Sequence, residues 1–153
     1  MDNVMIPFDS TPHVSYGPLH AIILDPPGML DWVDPGTKIT VEIAHDLTVN
    51  VDRVMRERWP DAKKFLYVHD FSRAVDYQQE SLEMLIDWGK RSIREVAGIW
   101  VVIGPLTRTV DKAAVHFGAR ALNLFGVPMG VSNHVAELLR EHGLRPAEMG
   151  IAR

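Results

Sequence analysis

Short apolar runs alternate along the chain with longer stretches in which apolar residues recur every three or four positions, the pattern of strands separated by helices. Leu19 to Leu24 (LHAIIL) predicts a strand, Asp25-Pro26-Pro27-Gly28 supplies turn chemistry, and Met29 to Val33 predicts a second strand, so the pair should form a hairpin. From Thr40, Ile43, Leu47, Val51, Val54, Met55 and Trp59 recur at helical spacing until Pro60 stops the pattern. Ile39, Val41 and Ile43 also alternate as in a strand, so this helix is best defined after His45. Phe65 to Val68 (FLYV), ending in His69-Asp70, fits a buried strand. Asp76 is placed to cap a helix from about Tyr77 to Val96, whose apolar face is Leu82, Leu85, Ile86 and Ile93. Ile99 to Ile103 (IWVVI), opened by Gly98 and closed by Gly104-Pro105, is the most apolar run and predicts the central strand. A third helix follows Thr109 through Ala113, Ala114, Phe117, Ala121, Leu122 and Phe125 and ends at Gly126. Val127 to Val131 predicts a short strand, which Pro128 places at a sheet edge. Ser132 can cap a last helix through Val135, Leu138 and Leu139, ended by Gly143.

Strands alternating with helices require crossover connections. The expectation is therefore an α/β fold, a mixed and mostly parallel sheet of about five strands packed against about four helices. It should occupy residues 19–143 as one domain, between an extended N-terminal arm (1–18) and a C-terminal tail (144–153).

Composition adds mainly exclusions. A chain of 153 residues, 46% hydrophobic and 24% charged, buries enough surface for a core without staples, and it has no cysteine for disulfides, thiolate zinc sites or a thiol nucleophile. The net charge of −4 gives no basic footprint, so nucleic acid is not an expected partner. Met1 to Tyr16 has neither the basic flank nor the apolar run of a signal peptide, and no apolar run approaches the length of a membrane span. A cytoplasmic protein is expected.

Catalytic chemistry is sparse. The seven histidines never take a spacing such as H-x-x-x-H, so no metal site is expected, and the glycines form neither G-x-G-x-x-G nor a P-loop. No cofactor is implied. His69 and Asp70 are neighbours in a strand and should point to opposite faces, which leaves the imidazole without that carboxylate. The better candidate lies where loops follow the carboxyl ends of adjacent strands: Asp70, Ser72, Arg73, Asp76, Tyr77 and Ser81 after one, Thr107 and Arg108 after the other. These residues suit a partner or an anion, and Ser72 and Asp76 equally suit simple turn and cap roles. Ala113 to Val131 is richer in small and apolar residues than one buried face requires. It fits a helix buried on the sheet, or else an apolar pocket or dimer face built with Trp88, Trp100, Phe117, Leu122, Phe125 and Met129.

The order of elements, together with the run Phe65-Leu66-Tyr67-Val68-His69-Asp70-Phe71-Ser72, resembles the STAS domain of anti-sigma-factor antagonists and sulfate transporters over roughly Leu19 to Gly143. Leu85-Ile86-Asp87-Trp88-Gly89-Lys90, and a following strand that ends in Gly-Pro, are similar to divergent STAS-like proteins of the SEC14-like grouping. In the STAS family the strand ends in an Asp-Leu-Ser-like turn, here Asp70-Phe71-Ser72. A second Asp, here Asp76, opens the next helix ahead of a serine that partner kinases phosphorylate. In this chain Tyr77, Gln78 and Gln79 follow Asp76, and a different gap placement brings Glu80 or Ser81 to that slot. The resemblance implies a non-enzymatic bacterial regulatory module acting through protein contacts. A carrier or sensor of a small apolar or lipid-like ligand is the second expectation, with self-association as a homodimer compatible with either. An enzyme using Tyr77, Asp76 and Arg108 for acid and base work is the third.

Overall fold

In the computed structural model, which describes residues 13–147, the apolar runs become neighbours in one mixed sheet. Strands β1 (Val14–Tyr16), β2 (Leu19–Asp25) and β3 (Gly28–Val33) are antiparallel, β2 and β3 forming the expected hairpin across the turn after Asp25. Three parallel ladders follow, β3 with β5 (Phe65–Asp70), β5 with β7 (Val96–Val102) and β7 with β8 (Met129–Ser132). The order across the sheet is β1-β2-β3-β5-β7-β8, so β8 lies at an edge, where Pro128 requires no ladder donor. A last short strand, β9 (Arg145–Pro146), returns to pair with β2. Strands β1 and β9 fall in stretches expected as arm and tail; residues 1–12 and 148–153 of those stretches lie outside the described residues.

The crossovers are helical. The first runs as α1 (Val41–His45), a π-helical stretch (Asp46–Val51) and α2 (Asp52–Arg58); Thr40 caps it by accepting from the Ile43 amide. The second is α3 (Gln79–Arg91), and the third is α4 (Thr109–Phe125), which closes on Gly126 with φ +101, a left-handed conformation that suits glycine. Alternation along the strands divides the core. Leu19, Ala21, Ile23, Met29, Tyr67, Ile99 and Val101 pack with α1 to α4. Ile22, Leu24, Leu30, Trp32, Val68 and Val102 point to the other face, where α5 (Val135–Glu141) contributes Val135, Leu138 and Leu139. No helix among the described residues is long and apolar enough to cross a membrane.

One expected boundary is corrected. Asp76 does not cap α3, because Asp76–Tyr77 is extended as β6 and pairs in parallel with β4 (Lys38–Ile39). Main-chain bonds from Val75 to Thr37 (3.0 Å) and from Gln78 to Ile39 (2.8 Å) continue that ladder, so the backbone has partners that a helix start there would give up. The helix begins three residues later than Asp76 and ends earlier than Val96, in a single 3-10 turn (Ile93–Glu95).

Candidate functional site

The carboxyl ends of β5, β7 and β8 open together onto a cleft of about 890 Å³, lined by Ser72, Gly104, Lys112, Asn133, His134 and Glu137 among others. Parallel strands place their following loops on one side of the sheet, which is why residues so far apart in sequence meet. Gly104 permits the close approach: a Cβ there would lie 2.2 Å from the Ser72 carbonyl oxygen. Ser72 is buried, and its hydroxyl has no hydrogen-bond partner among the described residues. Its amide donates to Asp70 Oδ1 at 3.1 Å. Asp70 Oδ2 has no partner among the described residues, and burial raises the pKa of this carboxyl, an effect tempered by Ser72.

Beside it lies a pair of carboxyl groups. Asp76 accepts from the Tyr77 amide at 2.8 Å and from Arg108 at 3.2 Å, with Lys38 at 3.9 Å. Its pKa is lowered, first by a hydrogen bond with Asp111, then by the Tyr77 amide. Asp111, in the first turn of α4, is raised by burial and by Asp76. The two carboxyl groups are thus pushed in opposite directions, Asp76 down and Asp111 up. Tyr77 turns inward, its hydroxyl without a partner among the described residues and its pKa raised by burial and by the charges of Asp111 and Asp70.

The structure therefore gathers Asp70, Ser72, Asp76, Tyr77 and Arg108 around this edge. Thr107 belongs to its framework, its hydroxyl donating to the Ala74 carbonyl at 3.2 Å. Arg73 is half-buried in the loop that follows β5, and its carbonyl accepts from the Gly36 amide. Ser81 is not on a docking surface: it is fully buried, and its hydroxyl bonds the carbonyls of Ile39 and Gln78, tying α3 to β4. Asp111, Lys112 and His134 join the edge without having been singled out in the sequence. An acidic residue at the first turn of a helix reads as ordinary dipole chemistry, and its meeting with Asp76 depends on the crossover.

The apolar candidates separate. Trp88, Leu122 and Met129 line a cavity between α3, α4 and the sheet. Trp100 lies on the opposite face, 5.3 Å from the His142 ring. Phe117 and Phe125, expected in a pocket, are exposed instead, because α4 carries apolar residues on two sides and only one meets the sheet. Phe125 packs under the Lys90 ammonium at 5.5 Å.

His69 and Asp70 do diverge, yet His69 has a carboxylate partner. Asp31 stands directly across from it in the β3–β5 ladder, fully buried, with Oδ2 2.6 Å from Nδ1. Burial raises the Asp31 pKa and His69 draws it back. The visible signal was a carboxylate in the middle of an otherwise apolar strand, Gly28 to Val33. Among the described residues, no group of three or more His, Cys, Asp or Glu is arranged to hold a metal ion.

Comparison with family models, with curated proteins and with solved structures returned no match.

Proposed function

We propose that this chain is a non-enzymatic regulatory module that works through protein contacts, and that the outer face of α4 receives an acidic, amphipathic helix of the partner. The observation that carries this reading is a stripe of exposed apolar side chains. Val110, Phe117 and Leu124 are 60%, 76% and 89% exposed and stand seven residues apart, and Leu106 (66%), in the turn ahead of the helix, is exposed as well. Seven-residue spacing keeps side chains on one seam, the geometry by which one helix receives another. Leaving such large side chains in water is unfavourable by about 25 cal/mol for each Å² of apolar surface, and a contiguous patch is the usual mark of an interaction surface. Charge selects the partner. Arg120 and, farther around the helix, His116 lie on one side of the seam, and the one acidic residue of α4, Asp111, is buried. A basic flank on a chain of net charge −4 favours an acidic counterpart and would repel a basic one. The STAS-like order of elements supports the same class of role.

A fluorescent 21-residue helix with leucines at heptad spacing and glutamates beside them is the probe. It should bind the wild-type protein, and bind at least about tenfold more weakly to the Phe117→Ser/Leu124→Ser double variant at unchanged circular dichroism. A lysine-flanked version of the same peptide should bind more weakly than the glutamate one. Equal binding of both peptides, or no binding of either, removes the proposal; a dimer by light scattering that the double variant abolishes would assign the seam to a second copy instead.

A further inference from the structure

Strand β8 is the outer edge of the sheet, and an edge strand is a template for further pairing unless something blocks it. The common blocks are absent from Met129–Ser132 (Met-Gly-Val-Ser), which carries no charged side chain and no proline. In a ladder the N–H and C=O of successive residues of a parallel strand turn to opposite sides. The Ile99 and Ile103 amides donate to the carbonyls of Pro128 (2.9 Å) and Ser132 (3.0 Å). Residues 128, 130 and 132 therefore face β7, and Met129 and Val131 turn their main-chain groups outward.

A single side chain meets Met129 there. The Met129 amide donates to Asn123 Oδ1 at 2.9 Å, and Asn123 Nδ2 donates to the Met129 carbonyl at 3.0 Å. A carboxamide has the donor and acceptor of a peptide unit, so Asn123 takes the place of one residue of a neighbouring strand. The end of α4 holds it in position. The Gly126 amide donates to the Asn123 carbonyl (3.0 Å) and the Val127 amide to that of Leu122 (2.9 Å), and Gly126 at φ +101 brings the chain back past the last helical turn. Asn123 is exposed, so water would satisfy its amide if these bonds were absent. What the two bonds change is the edge. The outward groups of Val131 have no such partner among the described residues.

We propose that Asn123 blocks the open edge of the sheet and so keeps the chain from pairing there with a second copy of itself. The occupant follows from symmetry. A two-fold axis at Val131 lays β8 antiparallel to its own copy, and the two Val131 residues then exchange both of their main-chain bonds. Growth of that ladder along β8 passes through Met129, the other outward residue of the strand, whose groups Asn123 already holds. Val131 alone does not offset the freedom lost when two chains join. The block is independent of partner docking on the α4 seam.

Sedimentation velocity over a concentration series compares the full wild-type chain with Asn123→Ala. The wild type should run as a monomer, and the variant should self-associate at least about tenfold more tightly at unchanged circular dichroism. Amide exchange locates the contact. In the wild type Met129 should exchange slowly and Val131 fast; in the variant Val131 should slow as concentration rises. A fast Met129 amide in the wild type, or a variant as monomeric as the wild type, overturns the proposal. A wild type that already dimerises with a slowed Val131 overturns it too, since the edge is then open. Adding Phe117→Ser to Asn123→Ala separates the edge from the α4 seam: association that survives belongs to β8, and association that is lost belongs to the seam and removes the proposal. Asn123→Ser, too short to span both Met129 groups, repeats the comparison should Asn123→Ala fail to fold.

Discussion

Asp70 ends β5 without a cation beside it strong enough to offset its burial, and the cost of that position depends on pH. A carboxyl whose pKa is raised on folding binds its proton more tightly in the folded chain. Its contribution favours the fold while it is protonated and is lost as pH rises from the ordinary carboxylate range, about 4, through the folded value. Asp31 and Asp111 act in the same direction and Asp76 in the opposite one. Asp70→Asn keeps an acceptor for the Ser72 amide and removes the charge. Urea unfolding at pH 4.5 and 7.5 should therefore show a smaller loss of stability with rising pH in the variant than in the wild type; an unchanged difference would mean that Asp70 is not buried as a carboxylate. Gly104→Ala tests the packing of the same edge. The added methyl meets main-chain atoms of Ser72 that cannot turn aside, so a loss of about 1–3 kcal/mol is expected in the same assay. At this scale the sequence revealed the edge residues from Asp70 to Tyr77, because they are adjacent in the chain. It hid the pairs Asp31 with His69 and Asp76 with Asp111, because each is made by a ladder or a crossover and leaves no local spacing.

Helix α4 shows what periodicity can and cannot supply. Its length and its end at Gly126 follow from the pattern of Ala113, Phe117, Ala121, Leu122 and Phe125. The inward side does not, because apolar residues recur on two faces: Val115, Ala119 and Leu122 meet the core, while Val110, Phe117 and Leu124 meet solvent. The two faces should answer mutation differently. Leu122→Ala is expected to cost about 2–5 kcal/mol in chemical denaturation, as for a buried leucine truncated in a packed core. Phe117→Ser is expected to change stability by about 0.5 kcal/mol or less, since nothing folded depends on it. A large loss from Phe117→Ser would show that this face is covered in the native chain. The misplacement of Asp76 belongs to this scale as well. A two-residue strand has no period to detect, and an acidic residue before a helical run has the appearance of a cap until its ladder with Lys38 and Ile39 is known.

Over the whole molecule, the alternation of strand and helix was sufficient to fix the class of fold but not the strand order: Ile99 to Ile103, expected as the central strand, lies in β7 beside the edge strand β8. The short strands at the outer side of β2 were not legible, being two or three residues long. They nonetheless finish the sheet: β1 covers Leu19 to Ala21, β9 pairs with Leu24 and Asp25, and the Ala147 amide donates to the Ile23 carbonyl at 2.8 Å. Ending the chain after Gly143 would remove β9 and the buried Leu144 and Ala147 together. Such a truncation should lower stability by a few times the roughly 0.5–1.5 kcal/mol of one main-chain bond, and hydrogen exchange at Asp25 should quicken before exchange in β7. Uniform acceleration across the sheet would instead indicate that β9 supports the entire fold.

The succession β2, β3, β5, β7, β8 has a temporal meaning besides its geometric one. Each strand is laid beside the one translated before it, so a chain emerging from a ribosome can extend its sheet in the order of synthesis, without waiting for a distant segment. Strand β9 breaks that rule by reaching back to the first hairpin, and its pairing waits for residues far along the chain. The return of those few residues closes part of the open side of β2: a copy that lacks them keeps its central ladders but exposes an edge where other copies can add.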